Sequence, residues 1–158
     1  LVTLANALPD IWKIQLIGSG NAKEEKALKR LLEKLERSDK FEFLGSKSSD
    51  ELSTFYKKAA IYVSPAMYEG FGMTVAEAMC FALPVVCFQT TGAREITEDG
   101  KYGILIKDFE ESGFVNEVLR LIDNEVRLKE LSSLSLTKSK DFSLEKIITS
   151  WKAILEIS

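Results

Sequence analysis

The chain has 158 residues, the length of one ordinary domain, and it can bury a core without disulfides or metals. Its 21 basic and 24 acidic residues are interspersed, so no cationic face suggests a nucleic-acid partner. Histidine is absent, which removes the commonest general base and the commonest metal ligand from the chemistry of this chain.

The first residues bear on whether the chain is part of a longer protein, and the two cysteines bear on its compartment. Residues 1–8 read as the end of an amphipathic helix with no initiator methionine, so we expect a fragment of a longer protein. Cys80 and Cys87 stand in apolar stretches rather than at disulfide-framework spacings, so we expect two small buried thiols. That expectation favours a reducing compartment, the cytoplasm, and no apolar run reaches the length of a transmembrane helix.

Short apolar runs alternate with helical patterns along the chain, which is typical of a mainly parallel sheet covered by helices. Pairs that combine a capping side chain with an acid three residues later mark three helix starts. The predicted strands are residues 13–17, 41–44, 60–64, 85–88 and 104–106. The predicted capping pairs are Asn21 with Glu24, Ser48 with Glu51, and Thr74 with Glu77.

The last third of the chain is predicted to be helical. Residues 114–122 and residues 147–155 each carry an apolar stripe at helical spacing. Residues 134–140, which are rich in Ser and Lys, are predicted to be a linker between two terminal helices. Because no domain boundary is evident, we predict one domain over residues 1–158.

The first loop that could hold a ligand follows the first predicted strand and contains Gly18 and Gly20. Loops at the carboxyl ends of parallel strands bind ligands in open α/β sheets. A dinucleotide site would need a third glycine where Lys23 stands and an acid where Gly45 and Ser46 stand. The dehydrogenase alternative is therefore disfavoured, and the two glycines are equally well explained as residues that turn the chain.

The second loop follows the third predicted strand and reaches a helix predicted from Met73 to Phe81. Gly70 and Gly72 flank Phe71 immediately before that helix, where successive amide N–H groups meet the positive end of the helix dipole. This pattern predicts a binding site for phosphate.

Glu69 and Glu77 stand on either side of the predicted phosphate site. At about 1.5 Å rise per residue, their carboxylates can be up to about 12 Å apart, which suits a glycosidase pair poorly. Two hydroxylated groups joined by a diphosphate, as in a nucleotide sugar, suit them better. The plainer alternatives are a capping partner of Thr74 for Glu77 and a solvated loop acid for Glu69.

The chain resembles the group 1 retaining glycosyltransferases, which have the GT-B fold. Their pattern Glu-Gly-Phe-Gly, Glu-Ala-Met and Pro-Val-Val appears in order, and flanking motifs extend the match over nearly the whole chain. In this sequence the motifs are residues 69–72, 77–79 and 84–86, followed by Gly92, Glu95, residues 99–100 and 103–106, and preceded by residues 16–20 and 43–45.

The resemblance implies a Rossmann-like, doubly wound parallel sheet with helices on both faces, the C-terminal half of a GT-B fold. It implies that Glu69, the expected catalytic residue, holds the hexose hydroxyls and orients the sugar without having to be a nucleophile, and that Glu77 binds the ribose. The remaining donor-binding residues that it implies are Gly18, Gly20, Gly45, Lys47, Gly70, Phe71, Gly72, Met73 and Thr74. Glu95 is expected to anchor a short helix rather than to touch the donor.

The sequence departs from the family pattern in two ways. Ala82 stands where glycine is usual, a small change that packing is expected to tolerate. Gln89 stands where Asp is frequent and Thr91 where glycine is common, which puts in doubt the donor contacts of the loop after the fourth predicted strand. The family's first strand of this domain, central in the sheet, and its acceptor domain with an active-site histidine would lie before Leu1. We therefore expect a sheet that is either gapped or repaired by its neighbours, and an apolar patch around Trp151.

For the intact protein, the resemblance implies transfer of a hexosyl group from a nucleotide diphosphosugar to an acceptor hydroxyl. No metal or cofactor is expected. The expected partners are the donor and the protein's own N-terminal acceptor domain, and attachment to the inner face of a membrane is left open. A nucleotide-sugar epimerase of GT-B architecture and a non-catalytic nucleotide-binding module remain the alternatives.

Overall fold

A computed structural model describes residues 1–155, so the last three residues of the predicted domain lie outside it. By its internal contacts the chain divides into two compact units, residues 1–55 and the residues from Tyr56 onward. Each unit is a parallel α/β arrangement, as the sequence predicts. The single domain over residues 1–158 stays a prediction.

The first unit is built around two parallel strands. β1 pairs with β2 from Ile14 opposite Phe41, with a register shift between Leu16 and Ile17. Its elements are α1 (Val2–Ala7), β1 (Ile14–Ile17), α2 (Ala22–Lys34), a 3-10 turn (Ser38–Lys40), β2 (Phe41–Gly45) and the start of α3 (Ser49–Lys58).

The core of the first unit contains a buried lysine beside its apolar residues. Lys40 is 2% exposed, and its ammonium group donates to the carbonyl oxygen of Pro9 at 3.0 Å and to Asp10 at 3.2 Å. A buried ammonium group needs such partners, because without them it would lose its hydration uncompensated. The segment after α1 is thereby tied to the start of β2.

The second unit contains a three-stranded parallel sheet in the order β3-β4-β5. β4 is central and buried throughout, with Tyr62 of β3 opposite Val85 and Ile104 of β5 opposite Val86. The elements after α3 are β3 (Tyr62–Ser64), α4 (Met73–Cys80), β4 (Val85–Phe88), α5 (Thr91–Thr97), β5 (Ile104–Ile106), α6 (Glu111–Ile122), α7 (Glu125–Ser139) and α8 (Leu144–Leu155), with 3-10 turns at Lys107–Phe109 and Lys140–Phe142.

The predicted linker at residues 134–140 is wrong, because α7 runs through it to Ser139. Leu131, Ser135 and Lys138 form the buried stripe of this helix, so its inward face is largely polar. The ammonium group of Lys138 donates to Glu98 at 2.8 Å and to Asp141 at 2.9 Å, which compensates its burial. A search for apolar periodicity overlooks a stripe of this kind.

The two cysteines differ in burial. Cys87, on the central strand, is 1% exposed, and burial raises the pKa of its thiol to about 12. Cys80, near the end of α4, is exposed, so the expectation of two buried thiols is wrong for that residue. Within residues 1–155 no helix combines the length and the apolar character needed to cross a membrane.

Candidate functional site

The loop between β3 and α4 is fixed by the first turn of α5. The amide of Gly92 donates to the carbonyl oxygen of Glu69 at 2.9 Å. A Cβ atom on Gly92 would lie 2.6 Å from the carbonyl carbon of Phe71 and 2.7 Å from the nitrogen of Gly72, closer than real Cβ contacts come. Glycine at position 92 therefore allows two backbone segments to touch and shapes the entry to α4.

Gly72 is the residue at which the loop becomes a helix. It has the left-handed conformation, φ +84°, and it forms the N-cap of α4, which begins at Met73. Glycine adopts this conformation without the steric cost that other residues meet. The first amides of a helix have no intrahelical acceptor, so those of Met73 and Thr74 stand at the positive end of the helix dipole.

Glu69 already uses one amide of this loop. The amide of Gly72 donates to its carboxylate oxygen Oε1 at 3.2 Å, and Glu69 is half-buried. The carboxylate of Glu69 is therefore partly solvated and partly engaged by the backbone of its own loop. The loop also presents large exposed side chains, with Phe71 57% and Met73 63% exposed.

Glu77 and Thr74 are each held by a tyrosine hydroxyl. Tyr56, near the end of α3, donates to Oε2 of Glu77 at 3.2 Å, and Tyr62 of β3 donates to Oγ1 of Thr74 at 2.8 Å. The predicted capping pair of Thr74 with Glu77 is wrong, because α4 starts one residue before Thr74 and Gly72 is its N-cap. Sequence reasoning missed both tyrosines, which lie 21 and 12 residues from their acceptors.

The predicted donor-binding residues of the first unit lie in two loops that contact each other. Gly18 has φ +128° and donates its amide to the carbonyl oxygen of Gly45 at 2.9 Å, while Gly45 is left-handed with φ +65°. Gly20 is exposed, and the ammonium group of Lys47 lies 6.0 Å from the ring centroid of Phe55. These residues form the carboxyl-end edge of β1 and β2.

The start of α3 is the predicted capping box. Ser48 donates its amide to the carboxylate of Glu51 at 3.0 Å, and Ser48 Oγ accepts from the amide of Glu51 at 3.4 Å. The hydrogen bond from the Ser48 amide lowers the pKa of the Glu51 carboxyl. Asn21 likewise caps α2 by accepting from the amide of Lys23 at 2.9 Å.

The family model of glycosyl transferases group 1 matches residues 1–135. The chain belongs to this family. An uncharacterized glycosyltransferase of Haemophilus influenzae is 34% identical over 153 residues, which cover 96% of this chain and 42% of that protein. The chain spans less than half the length of the curated relatives it matches.

Solved GT-B glycosyltransferases share the fold of this chain. Anabaena HepE in complex with UDP superposes with a TM-score of 0.85 at 23% identity, covering 99% of this chain and 44% of that one. The pneumococcal O-GlcNAc transferase GtfA in complex with UDP and GlcNAc gives a TM-score of 0.81 at 24% identity, covering 98% of this chain and 31% of that one. The expected α/β fold of the GT-B class is thus confirmed.

The chain departs from the family pattern at places with visible local consequences. Ala82 has φ +58°, a conformation that favours the glycine usual at this position. Thr91 begins α5 beside Thr90, whose hydroxyl caps this helix by accepting from the amide of Ala93 at 3.2 Å. Glu95 lies on the exposed face of α5.

Proposed function

We propose that this chain binds the nucleotide diphosphosugar donor of a retaining glycosyltransferase, which transfers a hexosyl group to an acceptor hydroxyl. The observation that carries the proposal is the entry to α4. A group 1 chain places Gly70, Gly72 and the first amides of a helix directly between Glu69 and Glu77.

The chemistry of this entry suits a diphosphate that carries a sugar at each end. Amides at a helix N-terminus stabilise the negative charge that develops on a departing diphosphate, and the fold fixes the positions of these amides beforehand. In the proposal the amides from Gly70 to Thr74 contact the sugar and diphosphate, Glu69 orients the hexose hydroxyls, and Glu77 binds the ribose.

The ligands of two neighbours support the donor class. HepE has been solved with UDP-glucose, and GtfA with UDP and GlcNAc. We therefore take a UDP-linked hexose as the first donor to test. The roles of Gly18, Gly20, Gly45 and Lys47 stay predictions of the family resemblance, and no metal or cofactor is expected.

A second domain for the acceptor is part of the proposal. The relatives are more than twice as long as this chain, and α8 carries an apolar face without cover in residues 1–155. Its exposed side chains include Trp151 at 59% and Ile154 at 71%. A surface of this kind is typical of a contact with another protein segment, and an acceptor domain is our candidate. We place the reaction in the cytoplasm, with membrane attachment left open.

Thermal unfolding of the full-length protein with UDP, GDP and ADP tests donor binding. A ligand bound only by the folded state raises its melting temperature, by about 4 °C at about 100 times Kd for a protein more than twice as long as this chain. We expect one nucleotide to produce this shift, Glu77→Ala to remove most of it, and Glu95→Ala, an exposed glutamate of α5, to leave it unchanged. If no nucleotide shifts the wild type, the proposed donor site is wrong.

Turnover separates the enzyme from its alternatives. We expect Glu69→Gln to abolish sugar transfer from a bound donor to an acceptor while nucleoside diphosphate binding survives. Release of free sugar and nucleotide without an acceptor would favour the epimerase. Donor binding with no turnover by any assay would favour the non-catalytic module.

A further inference from the structure

Tyr56 is a buried residue whose polar end reaches the surface of α4. Its side chain is 8% exposed, and its ring stacks on Phe81 with the centroids 5.2 Å apart and the planes at 20°. Its hydroxyl donates to Oε2 of Glu77 at 3.2 Å. Packing thus fixes the ring, and the hydrogen bond fixes one oxygen of an otherwise exposed carboxylate.

The direction of this hydrogen bond is set by the surroundings. Burial, followed by the negative charge of Glu77, raises the pKa of Tyr56 well above its ordinary value, so the phenol stays neutral and can only donate to the carboxylate. A carboxylate has about four lone-pair positions on two oxygens. With Oε2 engaged by Tyr56, Oε1 remains to accept from a ligand hydroxyl.

Tyr62 makes the corresponding contact one turn earlier on α4. Its hydroxyl donates to Oγ1 of Thr74 at 2.8 Å, and burial raises its pKa, so the phenol stays protonated. A threonine hydroxyl has one hydrogen to give. Because Oγ1 accepts from Tyr62, the hydrogen of Thr74 is left for an acceptor, such as a phosphate oxygen.

We propose that Tyr56 and Tyr62 are positioning residues, which orient Glu77 to accept from the ribose hydroxyls of the donor and Thr74 to donate to its diphosphate. The inference rests on the proposed function of this site. A side chain held in its binding conformation before the ligand arrives loses less conformational freedom on binding. Neither tyrosine needs to touch the donor.

The two tyrosines serve as matched controls for each other. Tyr56→Phe and Tyr62→Phe each remove one hydroxyl and keep the ring. If the inference is right, Tyr56→Phe acts on recognition of the ribose, and Tyr62→Phe acts on recognition of the diphosphate. If the tyrosines had a merely structural role, each variant would change recognition of the ribose and recognition of the diphosphate in the same way.

Isothermal titration of the full-length protein with UDP, GDP or ADP, whichever binds, measures recognition of the ribonucleotide. The same titration with the 2′-deoxy analogue of that nucleotide measures the preference for ribose. We expect Tyr56→Phe to weaken ribonucleotide binding about fivefold, the size of one hydrogen bond, and to reduce the preference for ribose over deoxyribose. Tyr62→Phe should weaken both nucleotides about equally and leave the preference unchanged. Melting temperatures of the unliganded variants would identify a folding defect.

Glu77→Gln provides the second test, as the background in which Tyr56→Phe is repeated. Once Glu77→Gln has removed the charge, adding Tyr56→Phe should cost little further affinity. Unchanged ribonucleotide affinity in Tyr56→Phe, or an equal loss for ribose and deoxyribose, overturns the inference while wild-type binding upholds the donor site. If the wild type binds none of the three nucleotides, the proposed function fails and the inference fails with it.

Discussion

The loop that enters α4 and the two loops after β1 and β2 use glycine for different physical reasons. At the α4 entry, Gly92 is required by contact, because a Cβ atom there would meet the backbone of Phe71 and Gly72. After β1 and β2, Gly18 and Gly45 have positive φ, yet a Cβ atom on either would meet nothing within 4 Å. Gly92 thus marks close packing at the α4 entry, whereas Gly18 and Gly45 mark backbone conformation alone.

The difference predicts how each region tolerates a side chain. A packed backbone contact has no flexible atom that can move aside, so a methyl group must displace the loop itself. An open position with positive φ meets only the local strain of the left-handed region. Substitution at the α4 entry should therefore change both stability and the shape of the site.

The largest expected effect is that of Gly92→Ala. We expect it to lower the free energy of unfolding by about 3 kcal/mol, because the new methyl group overlaps the backbone of the α4 entry. Urea denaturation measures the loss. The matched change in the first unit is Gly20→Ala, where no atom lies within 4 Å and φ is not positive, and it should be neutral or stabilising by up to about 1 kcal/mol.

Intermediate losses of stability are expected for Gly72→Ala and Gly45→Ala, and their difference separates backbone strain from steric contact. Gly72→Ala should cost about 2 kcal/mol, because φ is +84° and the methyl group would lie 3.1 Å from Cγ1 of Ile96 and 3.2 Å from the carbonyl oxygen of Gly92. Gly45→Ala, with φ +65° and open space, should cost about 1 kcal/mol from strain alone. Equal losses in urea denaturation would show that contact does not distinguish the two loops.

The smallest expected effect has the opposite sign. Ala82 follows α4 in the left-handed conformation, with Leu83 donating to the carbonyl oxygen of Ala78 at 3.1 Å, as in a glycine-type helix end. We expect Ala82→Gly to stabilise the chain by about 0.5 kcal/mol, because relief of strain exceeds the added freedom of the unfolded state. Ala76→Gly inside α4 should instead destabilise by about 1 kcal/mol.

Much of the fold could be predicted from the sequence, because strands and amphipathic helices leave periodic patterns. All five predicted strands are present, with shifts at their ends: β3 begins at Tyr62 rather than residue 60, and β2 includes Gly45. The helix starts at Asn21 and Ser48 are confirmed, because capping depends on residues close in the sequence: Ser48 pairs with Glu51 as predicted, and Asn21 accepts from the amide of Lys23 where the sequence predicts Glu24. Interactions between residues that are close in the sequence can therefore be predicted from the sequence.

The parts that could not be predicted depend on residues that are distant in the sequence. Gly92 meets the loop at Phe71, and Tyr56 reaches Glu77, only after the second unit has formed. The polar stripe of α7 was missed because a buried Lys138 depends on Glu98, 40 residues earlier. Motifs located the candidate site, but the groups that hold its side chains in place come from packing.

The contact between Glu69 and the amide of Gly72 has a thermodynamic consequence for the proposed donor. In the free chain this amide already has a charged acceptor 3.2 Å away, so a ligand oxygen that takes the same amide must displace a carboxylate rather than water. Binding at that point is an exchange of acceptors, and its free energy is the difference between two similar hydrogen bonds. Selectivity then depends on whether the released carboxylate finds a new donor, as hexose hydroxyls would offer and inorganic phosphate at neutral pH offers poorly.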